Sequence, residues 1–256
     1  MQRWAKKESI MKDQYFGDIN DYRKYGLLRS IIISGKFSSM IAWMLTPDDG
    51  TNDGKFISYL QQPNKWSRYD QTLFQKLKEL LANNEKRQVS LIENSDLLPD
   101  TAFYSSHVPD SPLDRDSWFS SLMSQAQNKD FVFLDPDNGL EIKSKSYGCK
   151  NSSKYLYWQE VASLWSSEKS LLIYQHFIRE KRSGFIQRIL KSLSASTPGS
   201  IVEAFSTPHV VFLMALQPGH HRFHNDIVTT VQKNWEGQIY HWEVTLARQS
   251  TAPDAA

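Results

Sequence analysis

Phe131-Val132-Phe133-Leu134-Asp135-Pro136-Asp137-Asn138-Gly139-Leu140-Glu141 is the stretch that decides the fold. Four apolar residues in succession, with no polar residue alternating among them, predict a strand buried on both faces. Proline has no N–H to give a ladder, so the strand must end where Asp135 meets Pro136. A strand covered on both sides belongs to a parallel sheet with helices on either face. In such sheets ligands bind beyond the carboxyl ends of the strands. The acidic turn Asp135–Gly139 lies at such an end.

The same grammar repeats outward along the chain. Asp18-Ile19-Asn20-Asp21 reads as a helix cap, and Tyr22, Tyr25, Leu28 and Ile32 follow at helical spacing, which predicts a helix over 19–34 closed by Ser34-Gly35-Lys36. Met40–Leu45 predicts a strand, Leu73, Leu77, Leu80 and Leu81 a helix, and Val89–Ile92 and Thr101–Tyr104 two more strands. A helix over 117–127 leads into the strand 131–134. Beyond the lysine-rich loop 143–153 come a helix with Val161, Leu164 and Trp165, a strand 170–174 ending at Gln175-His176, and a basic helix. Strands at 201–205, 210–216 and 239–245 complete the series, with a helix near 224–235 between the last two. The alternation predicts an α/β fold: a single three-layer domain over 1–248 with a mostly parallel, Rossmann-like sheet flanked by helices. Residues 249–256 read as a flexible tail.

Composition narrows the class. Of the 256 residues, 40% are hydrophobic and 23% charged, which supports a large folded core and argues against disorder. A net charge of +2 permits a nucleic-acid partner without requiring one. Cys149 is the only cysteine, so neither an intramolecular disulfide nor a cysteine-based zinc cluster can form within the chain. The polar leader Met1–Lys12 has no apolar core of a secretory signal, and no apolar run approaches membrane-spanning length. The expectation is a cytoplasmic protein with no membrane association and no obligate protein partner.

The strand-end rule selects three loops. The first, Thr46–Lys55, carries Asp48, Asp49 and Asp53 among turn formers, and Asp53 is taken as a substrate-binding candidate. The second is Asp135–Gly139, whose Asp135, Asp137 and Asn138 are candidate catalytic groups, followed by Glu141. The third follows Tyr174 and holds His176, a candidate proton-transfer group if its strand lies beside that of Asp135. His209 is a weaker candidate of the same kind. Arg179, Lys181 and Arg182 form the best phosphate-binding surface, Asp18, Asn20, Asp21 and Lys24 offer a second wall, and Trp43 and Tyr174 offer rings against a base. An ordinary Asp-Pro turn and a solvated basic helix are the plainer alternatives.

Tyr15-Phe16-Gly17-Asp18, Asp21, Lys24–Arg29, Phe133–Glu141 and Tyr174-Gln175-His176 resemble the signature of a widespread bacterial family that carries no assigned chemistry. More distantly, Asp135-Pro136-Asp137-Asn138 is similar to the Asp-Pro-Pro-Tyr type motif of Rossmann-fold nucleic-acid adenine methyltransferases. Those acting on ribosomal RNA also open with a helix bearing Asp and Lys, as Asp21 and Lys24 do here. That resemblance implies S-adenosylmethionine as cofactor, yet the turn Thr46-Pro47-Asp48-Asp49-Gly50 lacks the glycine-rich pattern, and Asn138 stands where the aromatic would. A fainter similarity, to uracil-DNA glycosylase type enzymes, rests on a strand running into Asp-Pro and a later histidine. It implies hydrolysis of an N-glycosidic bond, with no metal and no organic cofactor. A metal-dependent nuclease is the third reading, because Asp137 and Glu141-Ile142-Lys143 imitate one ligand pattern at too short a spacing. A non-catalytic binding module is the fourth. The ranking expected from the residues is a DNA glycosylase acting on a base or modified base, by analogy in defence against phage DNA, then a methyltransferase, then a nuclease. Nucleic acid, DNA first, is the expected partner.

Overall fold

A computed structural model describes residues 13, 15–47 and 56–244. Its helices are α1 (Ile19–Gly35), α2 (Pro63–Trp66), α3 (Gln71–Asn83), α4 (Ser90–Glu93), α5 (Pro112–Gln125), α6 (Trp158–Ser166), α7 (Arg182–Ser196) and α8 (His224–Asn234). Its strands are β1 (Ser39–Ala42), β2 (Thr101–Tyr104), β3 (Phe131–Leu134), β4 (Gly139–Leu140), β5 (Tyr155–Leu156), β6 (Ser170–His176), β7 (Ile201–Ser206), β8 (Val210–Leu216) and β9 (Tyr240–Glu243).

Seven strands form one sheet in the order β2-β1-β3-β6-β8-β7-β9, and β4 pairs with β5 apart from it. The pairs β1–β2, β1–β3 and β3–β6 are parallel. The pairs β6–β8, β8–β7 and β7–β9 are antiparallel. The fold is α/β: β2, β1, β3, β6 and β7 run one way, as the expected mostly parallel sheet requires, and β8 and β9 run against them. Val210–Leu216 is buried at every position, and an apolar run of that kind has no alternation to reveal its direction. Only three residues separate β7 from β8, too few for a parallel crossover.

Alternation along the central strands feeds two cores. Ile41, Phe131, Phe133 and Leu172 join one cluster with residues of α1, α3 and α8. Met40, Val132, Leu134, Leu171 and Ile173 join the other with residues of α5, α6 and α7. Among the described residues, no helix is long and apolar enough to cross a membrane.

Two expectations about local structure are corrected. Val89–Ile92 is no strand: Ser90–Glu93 is a short helix, and the buried Val89 and Ile92 stand three residues apart, on one helical face. The helix before β3 begins five residues earlier than expected, with Pro112 at its first position, where a missing N–H costs nothing. The Asp48, Asp49 and Asp53 loop and the C-terminal tail lie outside the described residues.

α1 docks closely on α8 through a glycine. A Cβ on Gly26 would lie 1.7 Å from Trp235 Cζ2, so only glycine lets the indole, itself 1% exposed, seat against the helix. Gly26→Ala is expected to cost about 1–3 kcal/mol in urea melts through overpacking. A gain of about 1 kcal/mol, as alanine gives in an open helix, would contradict this packing.

Candidate active site

The chain moves from β1 outward to β2, then returns to place β3 on the other side of β1. The carboxyl ends of β1 and β3 therefore flank a reversal of strand order, the place where an open α/β sheet forms its binding crevice. A cavity of about 320 Å³ lies there, at the small end of the range for ligand sites, about 300–1,000 Å³. Its floor is Asp135, Asp137 and Asn138 beyond β3, with Tyr174 and His176 from β6. Its second wall is the first turn of α1, with Asp18, Asn20, Asp21 and Lys24.

β3 and β6 are neighbours in register, Leu134 opposite Ile173, so the adjacency required for Asp135 and His176 to share a site is met. Asp135 forms an ion pair with Lys24. Lys24 Nζ lies 3.2 Å from Asp135 Oδ2 and 2.8 Å from Asp21 Oδ1. It also stands 5.4 Å from the ring centroids of Tyr25 and Trp43. Burial opposes the ammonium charge, but Asp135 and Asp21 outweigh it and raise the Lys24 pKa. Tyr25 Oη and the Gly17 amide both donate to Asp21 Oδ2, each at 3.1 Å, which fixes that carboxylate from its other side.

Asp18 caps α1 by accepting from the amides of Asn20 and Asp21 at 2.8 and 2.9 Å. Burial and the neighbouring Asp21 carboxylate together push its pKa up to about 6 against those two hydrogen bonds. Thr46 Oγ1 donates to Asp137 Oδ2, which ties the loop after β1 to the loop after β3 across the reversal point. Tyr174 Oη lies 3.4 Å from His176 Nε2, and burial, then Asp135, raise the phenol pKa. His209 reaches the cavity because β8 enters the sheet with Val210 opposite His176.

Several expected site residues stand elsewhere. Trp43 is fully buried, with its indole N–H donating to Glu93 Oε1 at 2.8 Å, and is no platform for a base. Glu141 does not line the cavity. Its Oε1 accepts from the Trp158 amide at 3.0 Å at the start of α6, so it serves that helix terminus. Arg179 and Lys181 on the loop after β6 and Arg182 at the start of α7 are exposed and do not line the cavity. Arg182 donates to the Pro208 carbonyl at 2.6 Å and stacks over Phe177. Asp53 falls outside the described residues.

Tyr15, Tyr25, Val89 and Val210 line the cavity without having been singled out. Tyr25 was hidden by its helical spacing, which reads as ordinary core. The described part of the turn after β1 has no glycine: Trp43, Met44 and Leu45 are buried, and Met44 takes a left-handed φ of 49°. Residues 43–47 thus do not supply the bare backbone that a Rossmann-type cofactor approaches. Compared with protein-family models, curated proteins and solved structures, the chain matches none.

Proposed function

We propose that this protein is a nucleic-acid-acting hydrolase that cleaves the N-glycosidic bond of a base in DNA. The observation that carries the reading is the pairing of opposite roles in one cavity. Asp18 holds a proton up to about pH 6, while Asp135 lies 3.2 Å from the buried ammonium of Lys24. Two acids in contrasting environments are what acid–base hydrolysis needs.

The C1′–N bond breaks with its electron pair leaving on the base, and Asp18 supplies the proton that makes the base a neutral leaving group. Asp135 stabilises the positive charge on the sugar, as carboxylates do in sugar hydrolysis. Water, oriented by Asp137, bonds to C1′ and gives up its proton to that carboxylate. Asn138, Tyr174 and His176 are placed to hold the flipped base. The exposed Arg179, Lys181 and Arg182 lie three to six residues beyond His176, which supports a phosphate-bearing substrate. Helices on both faces of the sheet and a strand-order reversal at the site support the three-layer, Rossmann-like description.

A second reading, methyl transfer to a base amine, gains from the Lys24–Asp135 contact, since it joins the two segments on which that resemblance rests. S-adenosylmethionine would supply the methyl group, but residues 43–47 do not fit it.

Incubation with DNA carrying natural and modified bases tests the proposal. Free base and alkali-labile abasic sites are expected from the wild type and not from Asp135→Asn. No abasic sites with any base overturns it. S-adenosylmethionine binding by calorimetry would favour the second reading, and chelator-sensitive strand cleavage would favour a nuclease.

A further inference from the structure

Gln175 is a polar residue in the middle of the sheet, 4% exposed, on a strand that also carries the apolar Leu171, Leu172 and Ile173. A buried primary amide must find partners for both of its ends. Its Oε1 accepts from the Leu140 amide at 2.7 Å. Its Nε2 donates to the His176 carbonyl at 2.8 Å and, at 3.4 Å, to the Asn138 carbonyl. One side chain on β6 thereby grips the turn beyond β3 at Asn138 and Leu140. The same side chain holds the backbone of His176.

The turn is shaped around this amide. Gly139 takes φ 107°, and a Cβ there would lie 2.4 Å from Gln175 Oε1. The glycine is thus required twice, once by its dihedral and once by the amide that fills the space.

We infer that Gln175 is a positioning residue: it locks the Asp137–Leu140 turn to β6 so that Asn138 and His176 face the cavity in fixed relation. The inference uses the proposed hydrolysis only as one of its readouts. The polarity of the hydrogen bonds makes it testable, because two of the three need a donor. Glutamate at 175 can accept from Leu140 but as a carboxylate confronts two carbonyls. As the neutral acid it regains a donor, and burial beside carbonyls favours that form.

The experiment compares wild type, Gln175→Glu and Gln175→Leu between pH 5 and 8. Base release and exchange of the Leu140 amide are each read against the urea stability of the same sample. Relative to wild type, Gln175→Glu is expected to lose about tenfold or more in base release at pH 8 and to recover as pH falls, about one hydrogen bond to a buried carbonyl being at stake. Gln175→Leu should stay low at every pH, with Leu140 exchange faster than its global stability explains. Equal behaviour of the two variants across pH, or protected Leu140 in Gln175→Leu, overturns the inference. If the wild type releases no base, the hydrolytic reading fails alone, and exchange of the Leu140 amide in Gln175→Leu still decides the role of Gln175. Should Gln175→Leu not fold, the pH recovery of Gln175→Glu decides it.

Discussion

Lys24→Met is expected to destabilise the protein by about 3–5 kcal/mol, the cost of leaving buried charge without its partner. The side chains of Asp135 and Asp21 are only 2% and 8% exposed, so water cannot replace the lost ammonium. Methionine keeps most of the contact with Tyr25 and Trp43, which separates the loss of charge from the loss of packing. The double variant Lys24→Met/Asp135→Asn removes one stranded carboxylate and is expected to regain a substantial part of the loss. Urea midpoints of the four proteins form the cycle. A single-variant loss under about 1 kcal/mol would place the contact with ordinary surface ion pairs and contradict its burial.

The second large effect runs in the opposite direction. Asp18 has a folded-state pKa of about 6 against an ordinary 3.8. The folded protein therefore binds this proton more tightly than the unfolded chain does. Stability from this group falls as pH rises from about 4 to about 6 and is flat beyond, a loss of about 3 kcal/mol at roughly 1.4 kcal/mol per unit. Asp18→Asn keeps an acceptor for the Asn20 and Asp21 amides and cannot ionise. It is expected to be about 2–3 kcal/mol more stable than wild type at pH 7.5, roughly 4–10 °C in Tm, and equal to it near pH 4. Under the proposed hydrolysis, release of neutral bases by this variant should be lost, because that reading makes Asp18 the proton donor. A stability difference that does not change between the two pH values would show that the effect is not the titration of Asp18.

The opposition of these two variants is informative about the site. One residue is held in place by the charges around it, and another is held against them. Stability given up at Asp18 and retained at Lys24 in one cavity is the pattern expected where chemistry, not folding, fixes the side chains.

The sequence made the central part of this legible. Phe131–Leu134 is continuously apolar and Pro136 cannot pair, so the position of the acidic turn followed from two local rules. The Asp18 cap was equally plain, since it acts on amides two and three residues away. What stayed hidden depends on residues far apart in the chain. Lys24 and Asp135 are 111 positions apart, and the sequence brings each to the site without pairing the two. Glu141 looked like part of the acid cluster because its service to α6 is visible only once Trp158 is beside it. Trp43 looked available because the residues that cover it come from α1 and the β2 region. Val89–Ile92 was ambiguous in principle, since four residues fit a strand and one helical turn alike.

The contact of Gly26 with Trp235 bears on how the chain acquires its shape during synthesis. α1 leaves the ribosome before the indole that closes over it, which follows more than two hundred residues later. Its ion pair with Asp135 waits for β3. Until then the apolar stripe of Tyr22, Leu28 and Ile32 lacks part of its cover, and such long-range closure is slow and exposes the nascent chain to aggregation. A helix made before its cover is thus secured late.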